Sequence, residues 1–438
     1  MRRERTVRQL LADKVSGTLV GLWLLIPEHL RLGTWDLLRG WTGSPPQALA
    51  PHLALQVVHE AALTVTGIRQ CRTLSQKGFE LANGLPAVVS DQAIHELLNA
   101  HTVAEAIALQ RALGRIRRAS GHFQGRLVAV DPHRLRSFSR RQMVRLKPKD
   151  EHPAQKVAQT FFCLDADTCQ PVCFTTGSSS RTAIDAAKDL LPLAADILQP
   201  PPGHALALAD VEHHSAEIFE FVRQQTPFDL LLPMPHQPYY QRAVQQLPPS
   251  AFRSRWVGFA TAAQPFCFQT HPDLPLVQWV QRFGEDPQRY AFKSFLCTSD
   301  RDELPALSHD YPKRWHVEEF FHDHQDLGWK RAGTLNLHIR YGQMTLALIA
   351  QAALSQLRQR LPPPWQKLTA AEFAKKFLRG LDGDIRVRGD TIQVTYYNAP
   401  QAPLWRHHFE NLPGILQHEK VRPSIPWLLD FKLDFRFK

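Results

Sequence analysis

The sequence is poor in cysteine: six in 438 residues, at positions 71, 163, 169, 173, 267 and 297, with no CxxC pair and no paired zinc spacing. That scarcity argues against a structural zinc module or a disulfide framework and fits a reduced, cytoplasmic setting. Neither a P-loop nor a GxGxxG stretch is present, which removes the usual signals for nucleotide hydrolysis and dinucleotide binding. Long hydrophobic runs are missing as well. Arg2, Arg3 and Arg5 precede an apolar stretch from Gly17 to Pro27, but it is too short to cross a bilayer and no A-x-A site follows. It predicts a buried core helix and no membrane partner. Ser178-Ser179-Ser180 has no matched His and Asp, so serine-type hydrolysis has little support. Acidic residues run short in one region. From Arg111 to Lys149 there are twelve Lys or Arg (111, 115, 117, 118, 126, 134, 136, 140, 141, 145, 147 and 149) against a single acid, Asp131. With a net charge of +11, this distribution points to a polyanionic partner, and a carboxylate alone in such a field suits a phosphodiester.

What is present reads as an ordered, multidomain chain. Residues 1–120 predict short helices broken by Gly and Pro, a helical region that ends in the basic run containing Arg115, Arg117 and Arg118 and reads equally as a helix-turn-helix-like DNA reader or as a helical scaffold packed on the next domain. From 121 to 236 the pattern becomes α/β. Leu127 to Val130 predicts a buried strand delivering Asp131 at its end, with Pro132 stopping the ladder. Strands follow around Phe161–Leu164 and Pro171–Thr175, then a helix capped by Thr182. A strand at Ala205–Ala209 ends in Asp210, a helix is capped by Ser215, and Phe228–Leu232 is a further strand. Three strands, a helix, a strand, a helix and a strand make a mixed sheet flanked by helices, an order similar to that of ribonuclease-H-like domains. Residues 237–300 predict a β-rich insertion, and 301–360 the second part of the core. Residues 361–438 form a C-terminal helical and hairpin region with a turn at Gly389-Asp390.

Tyr311 to Trp329, YPKRWHVEEFFHDHQDLGW, predicts one helix starting at Tyr311, since Pro312 suits a first helical turn. Val317, Phe320, Phe321 and His324 make an apolar stripe; Tyr311, Arg314, Glu318, His322 and Gln325 make a polar one. Asp131, Asp210 and Glu318 are then three carboxylates able to converge from distant sequence, the donor type that hard divalent cations require. His316, His322, Asp323 and His324 share too few helical faces to make a zinc site.

Three segments carry a family resemblance: LVAVDPHRL around Asp131, ALALADVEHHSAEIFEFV followed by FDLLLPMP around Asp210, and YPKRWHVEEFF around Glu318. Together they resemble the DDE transposases of bacterial insertion sequences, specifically the insertion-sequence-four superfamily with its Tyr-x2-Arg-x3-Glu-x6-Lys signature. Tyr311, Arg314 and Glu318 are in register; the final Lys falls on Gln325, with Lys330 a nearby substitute. The resemblance implies a ribonuclease-H-like core in which Asp131, Asp210 and Glu318 hold two Mg²⁺ ions, with Mn²⁺ able to replace them. It further implies cleavage at the element's terminal inverted repeats, joining of the 3′-hydroxyls to target DNA, and a homodimer on double-stranded DNA at the bacterial nucleoid. Tyr311, Arg314, Trp315 and Gln325 would contact DNA, with Trp256 or Trp315 holding a flipped base. The alternatives are a catalytically inactive, domesticated DNA-binding protein and a structure-specific ribonuclease-H-like nuclease.

Overall fold

The computed structural model describes the chain except residues 1, 18, 46–47, 66–73, 139, 141, 147–152, 330–333 and 335. The chain divides into two compact units, Met1–Ile116 with His322–Lys438, and Arg117–Phe321. Among the described residues no helix is long and apolar enough to cross a membrane. In chain order the strands are β1 (Val15–Gly17), β2 (Leu127–Arg136), β3 (Val157–Asp165), β4 (Gln170–Ser178), β5 (Ala205–Ala209), β6 (Phe228–Pro233) and β7 (Arg253–Trp256). They continue with β8 (Phe259–Phe268), β9 (His271–Phe283), β10 (Ala291–Cys297), β11 (Gly383–Arg388), β12 (Thr391–Tyr396), β13 (Ser424–Ile425) and β14 (Phe431–Phe437).

The Arg117–Phe321 unit is built on one mixed sheet in the order β4-β3-β2-β5-β6-β10-β9-β8-β7. β2, β5 and β6 run parallel, with the helix Ala183–Leu198 leading from β4 into β5 and the helix Ala216–Gln225 joining β5 to β6; the remaining pairings are antiparallel. Thr182 and Ser215 cap these helices by accepting from Asp185 N and Ile218 N, as the sequence predicts. Residues 237–300, read from the sequence as a β-rich insertion, carry β7 to β10, and these strands are not a separate layer. β7 to β9 extend the core sheet outward from β10.

Alternation along β3 and β4 shows which face is which. Cys163 pairs with Cys173, whose thiol lies against the Leu190 carbonyl of the Ala183–Leu198 helix at 3.8 Å. Phe162 pairs with Phe174 and meets Phe320 and Phe321 at ring separations of 5.4 and 5.6 Å. Successive residues of a strand point to opposite faces, so the Ala183–Leu198 helix covers one face and the segment around Phe320 covers the other. That double cover is why β3 is buried along its whole length.

Pro132 does not stop β2, which runs on to Arg136 and pairs Pro132 with Phe161 of β3. The reason lies in which side the missing N–H faces. Leu127 O accepts from Ala166 N on the β3 side, so by alternation position 132 faces the β5 side. β5 has already ended there, at Ala209, and Pro132 leaves no ladder bond unmade.

The other unit joins the two ends of the chain. β1 pairs with β11 in a sheet of order β1-β11-β12-β14-β13, and the expected hairpin is β11–β12. Residues 1–120 and 361–438 were expected as separate regions; they share this sheet and a core. Residues 19–27 of the Gly17–Pro27 stretch are buried, but as a 3₁₀ helix Val20–Leu25 leading into the helix Ile26–Arg31. The helix Leu337–Gln359 is capped by Asn336, which accepts from His338 N and Ile339 N.

Three histidines of this unit, His29, His52 and His59, are buried and neutral. Burial holds His29 well below its ordinary value and lowers His52 and His59 to about 4. The unfolded chain binds protons at these rings below about pH 6.5 and the folded chain does not, so stability present above that pH is lost as pH falls toward 4. His52 and His59 each account for roughly 3 kcal/mol over that window, and His29 acts in the same direction. The urea midpoint is expected to fall steeply between pH 6.5 and 4.5; a midpoint that is flat with pH contradicts the neutral, buried assignment.

Candidate active site

Two strand partners and one helix build the site, all in the Arg117–Phe321 unit. β2 and β5 are in parallel register with Val130 beside Ala209, so Asp131 and Asp210 each directly follow one member of that neighbouring pair. Asp131 also pairs with Phe162 across β3, which puts its side chain on the face covered by Phe320 and Phe321. Asp210 opens the short 3₁₀ turn Val211–His213, its Oδ1 accepting from Val211 N at 2.7 Å.

The segment carrying Glu318 is helical from further upstream than Tyr311. Turns begin at Glu303, widen into a π turn over Ala306–Asp310 closed by Tyr311 N to Ala306 O, tighten to 3₁₀ over Tyr311–Trp315, and become the α-helix His316–His324. Pro312 has no N–H to donate, and the departure from α geometry around it spares the chain an unsatisfied carbonyl and a ring clash. The helix ends at His324, short of the expected Trp329, with Gly328 at φ 95° in the following turn.

Tyr311 and Arg314 tie this segment to the strands. Tyr311 OH donates to Ala209 O at 3.4 Å and its ring meets Phe295 edge-on at 4.9 Å. Arg314 is buried and bridges the acids, with Nη1 3.7 Å from Asp131 Oδ2 and Nη2 3.4 Å from Glu318 Oε1. Its guanidinium also lies over the exposed Trp315 ring at 5.0 Å. Arg314 Nε and Nη1 are buried without a hydrogen-bond partner among the described residues.

The electrostatics are those of a site short of positive charge. Burial, with Asp210, Glu318 and Glu212 nearby, pushes the Asp131 carboxyl up to about 7, against the pull of Arg314. Burial works against the charge of Arg314, but the Tyr311 hydroxyl and the carboxyls of Asp131, Asp210 and Glu318 outweigh it and raise its pKa. Glu212 is held elsewhere: Arg134 donates to both its oxygens and, through Nε, to Gln159 Oε1 at 2.9 Å, which lowers the Glu212 pKa. Among the described residues no group of three or more His, Cys, Asp or Glu side chains is gathered closely enough to hold a metal ion as it stands; the guanidinium of Arg314 bridges Asp131 and Glu318. One guanidinium facing three carboxyls fits a site whose charge a hard, oxygen-seeking cation would complete.

Other residues expected at the site fall elsewhere. Trp256 is exposed at a hairpin tip and stacks on Phe259 at 4.2 Å. Gln325 is half-buried just beyond the end of the helix, and Lys330 lies outside the described residues. Arg115 is exposed on the helix Val103–Ala119. Arg117, expected on a DNA-reading surface, is a correction: it is 1% exposed and its guanidinium donates to Pro171 O, Gln170 Oε1 and His122 Nδ1. It anchors the start of the unit and has no donor face left for a phosphate. Arg118 is exposed and bonded to Gln199 Oε1.

Sequence reasoning missed a clamp beneath the helix. Asp167 accepts from Lys313 Nζ at 2.7 Å and Arg126 Nη2 at 3.1 Å, Arg126 Nη1 reaches Asp310 at 3.0 Å, and His316 Nδ1 lies 2.7 Å from Ala166 O. These contacts fix the turn between β3 and β4 against the residues leading to Glu318. No local spacing signals pairs so distant in sequence.

A family model described as a transposase DDE domain matches residues 122–352, a span that contains Asp131, Asp210 and Glu318. No curated protein matches the chain. Among solved structures the chain is similar to piggyBac transposase in the cryo-EM structure of its synaptic complex with hairpin DNA. Identity is 11%, with 84% of this chain and 82% of that chain covered and a TM-score of 0.37.

Proposed function

The chain belongs to the transposase DDE domain family, and from that premise we propose that it cuts DNA at the terminal inverted repeats of its own element and joins the freed 3′-hydroxyls to target DNA. The observation that carries this reading is the parallel register of β2 and β5, which sets Asp131 beside Asp210 and under Arg314 and Glu318. The order β4-β3-β2-β5-β6, three antiparallel strands followed by two parallel ones, supports a ribonuclease-H-like core. The Tyr311, Arg314 and Glu318 spacing supports placement in the insertion-sequence-four superfamily.

In this reading Asp131, Asp210 and Glu318 hold two Mg²⁺ ions, for which Mn²⁺ can stand in. When bound, such ions activate the attacking oxygen and stabilise the leaving one. The rest is work for the chain's own residues. Arg314, whose buried Nε and Nη1 make no hydrogen bond among the described residues, is placed to take a phosphate oxygen beside the acids. Tyr311 holds the helix to the end of β5, fixing Arg314 and Glu318 relative to Asp210. Double-stranded DNA is the partner, and a homodimer pairing two ends at the nucleoid is the working assembly.

The test is incubation with a DNA fragment carrying the repeats that flank the coding sequence. Nicks at the repeat ends and joined products are expected with Mg²⁺ and not with EDTA. Metal-independent binding without any cleavage would identify an inactive DNA-binding protein, and cleavage without joined products a nuclease.

A further inference from the structure

The ladder between β2 and β5 ends at Val130 and Ala209, one residue short of both Asp131 and Asp210. Asp131 keeps a partner in Phe162 of β3; Asp210 lies past the end of β5, at the start of the turn Val211–His213. Beyond that point the two chains are tied by an ion pair. Glu212, inside the turn, accepts from both Nη atoms of Arg134 of β2, with Nη1 2.8 Å from Oε1. Arg134 is held in its turn. Its Nε donates to Gln159 Oε1 at 2.9 Å, and Gln159, buried in β3, donates from Nε2 to Ser178 O and Arg181 O at 2.9 and 3.0 Å. Arg134 stands opposite Gln159 in the β2–β3 register and three residues from Asp131, so its side chain leaves the sheet on the face away from Asp131. The turn that starts at Asp210 is thus anchored from behind, through a buried amide, to the segment leading into the Ala183–Leu198 helix.

Both partners are half-exposed, and such a pair adds little to stability. A forked contact fixes direction as well as distance, however, and this one is backed by Gln159. We propose that Arg134 and Glu212 are positioning residues: their pair pins the turn that begins at Asp210 to the strand that carries Asp131, and so sets the gap between the two carboxylates that a divalent cation must bridge. The inference rests on the transposase reading and concerns how that reading's acids are held. The bond to Glu212, together with the charges of Asp131 and Asp210, raises the Arg134 pKa against burial, so the field of the acids reaches Arg134. Charge and position therefore predict opposite signs. By charge alone, removing Arg134 takes a cation away from the acids and tightens their hold on a metal ion, whereas removing Glu212 loosens it. By position, losing either partner releases the turn at Asp210 and loosens it.

The experiment titrates Mn²⁺ into the full-length protein without DNA and follows the free ion by electron paramagnetic resonance. Wild type is expected to bind, and Asp131→Asn to lose that binding, which marks the ion as sitting at the acids. Arg134→Gln and Glu212→Gln should each weaken it by about tenfold or more, the scale for losing a group that orients a metal ligand. The double variant should be little weaker than either single one, because the two act as a pair. Arg134→Lys keeps the charge without the fork and should bind nearly as weakly as Arg134→Gln. Urea midpoints should barely move, and the Mg²⁺ needed for half-maximal nicking should rise by the same factor as the Mn²⁺ affinity falls. A wild type that binds Mn²⁺ and nicks the repeat ends, beside an Arg134→Gln protein that binds the ion as tightly or more tightly, overturns the pin and leaves the transposase reading standing. So does an Arg134→Lys protein with wild-type affinity, or a loss of affinity that only follows a fall in urea midpoint. A wild type that neither binds Mn²⁺ nor nicks the fragment overturns both, as does Asp131→Asn with undiminished binding and nicking.

Discussion

Replacing Asp131 with Asn is expected to abolish strand cleavage while making the metal-free protein more stable. The two effects have one cause. Asp131 is 15% exposed, with its pKa pushed up to about 7 by burial and by Asp210, Glu318 and Glu212. The unfolded carboxyl ionises near its ordinary value, so as pH rises from about 4 to 7 the unfolded chain loses a proton that the folded chain keeps. Stability falls over that window, and above it the full penalty of an ionised, crowded Asp131 remains. Asn keeps the shape and removes the charge. At pH 8 without divalent metal, Asp131→Asn should be more stable by roughly 2–4 kcal/mol, and its stability should lack the downward slope between pH 4 and 7. Mg²⁺ should narrow the gap by raising the wild type more than the variant. Cleavage should fall by about 1000-fold or more, the scale of removing a group that stabilises charge at the reacting phosphate. Thermal melts at several pH values and a nicking assay read both halves. A variant that is less stable than the wild type at pH 8 contradicts the account of the acids as a charge-strained cluster.

Gly21→Ala is the second large effect, and it concerns folding. Gly21 lies in the buried 3₁₀ helix Val20–Leu25, and a Cβ there would overlap the carbonyl oxygen of Phe377 and stand 2.8 Å from that of Leu378. These backbone oxygens cannot swing away as a side chain can, so one added methyl should cost more than about 4 kcal/mol. The melting temperature of that unit should drop by about 10 °C or more. Gly40→Ala is the control: it is also helical and has open space around its Cβ position, and it should be neutral or gain up to about 1 kcal/mol. Equal behaviour of the two variants would mean that the N-terminal and C-terminal segments do not share this core.

The unequal legibility of the sequence follows from how local each feature is. The apolar runs Leu127–Val130 and Ala205–Ala209, each followed by an Asp, reveal their strands because burial is written residue by residue. Capping at Thr182 and Ser215 is equally local, and both accept the expected backbone N–H. The parallel pairing of β2 with β5 is written nowhere locally, and it decides that Asp131 and Asp210 are neighbours. Glu318 is legible only through the Tyr311 and Arg314 spacing, since an isolated helix with an i,i+4 Arg/Glu pair has many explanations. Pro132 and Pro312 misled in the same way. Each removes an N–H, but whether that ends an element depends on whether a partner was waiting for it. β5 stops short of Pro132, and the π and 3₁₀ turns accommodate Pro312. Arg117 misled because a basic run looks alike whether it faces solvent or packs inward; its burial is set by Gln170 and Pro171, more than fifty residues away.

The central claim is that Asp131, Asp210 and Glu318 act together on one phosphodiester. The most direct measurement is single-turnover nicking of the repeat-carrying fragment by Asp131→Asn, Asp210→Asn, Glu318→Gln and the triple variant, at matched DNA occupancy in Mg²⁺. Each single variant is expected to lose nearly all activity, with the triple little worse than any one of them, as for groups that work as a unit. Full nicking by any single variant would contradict the claim.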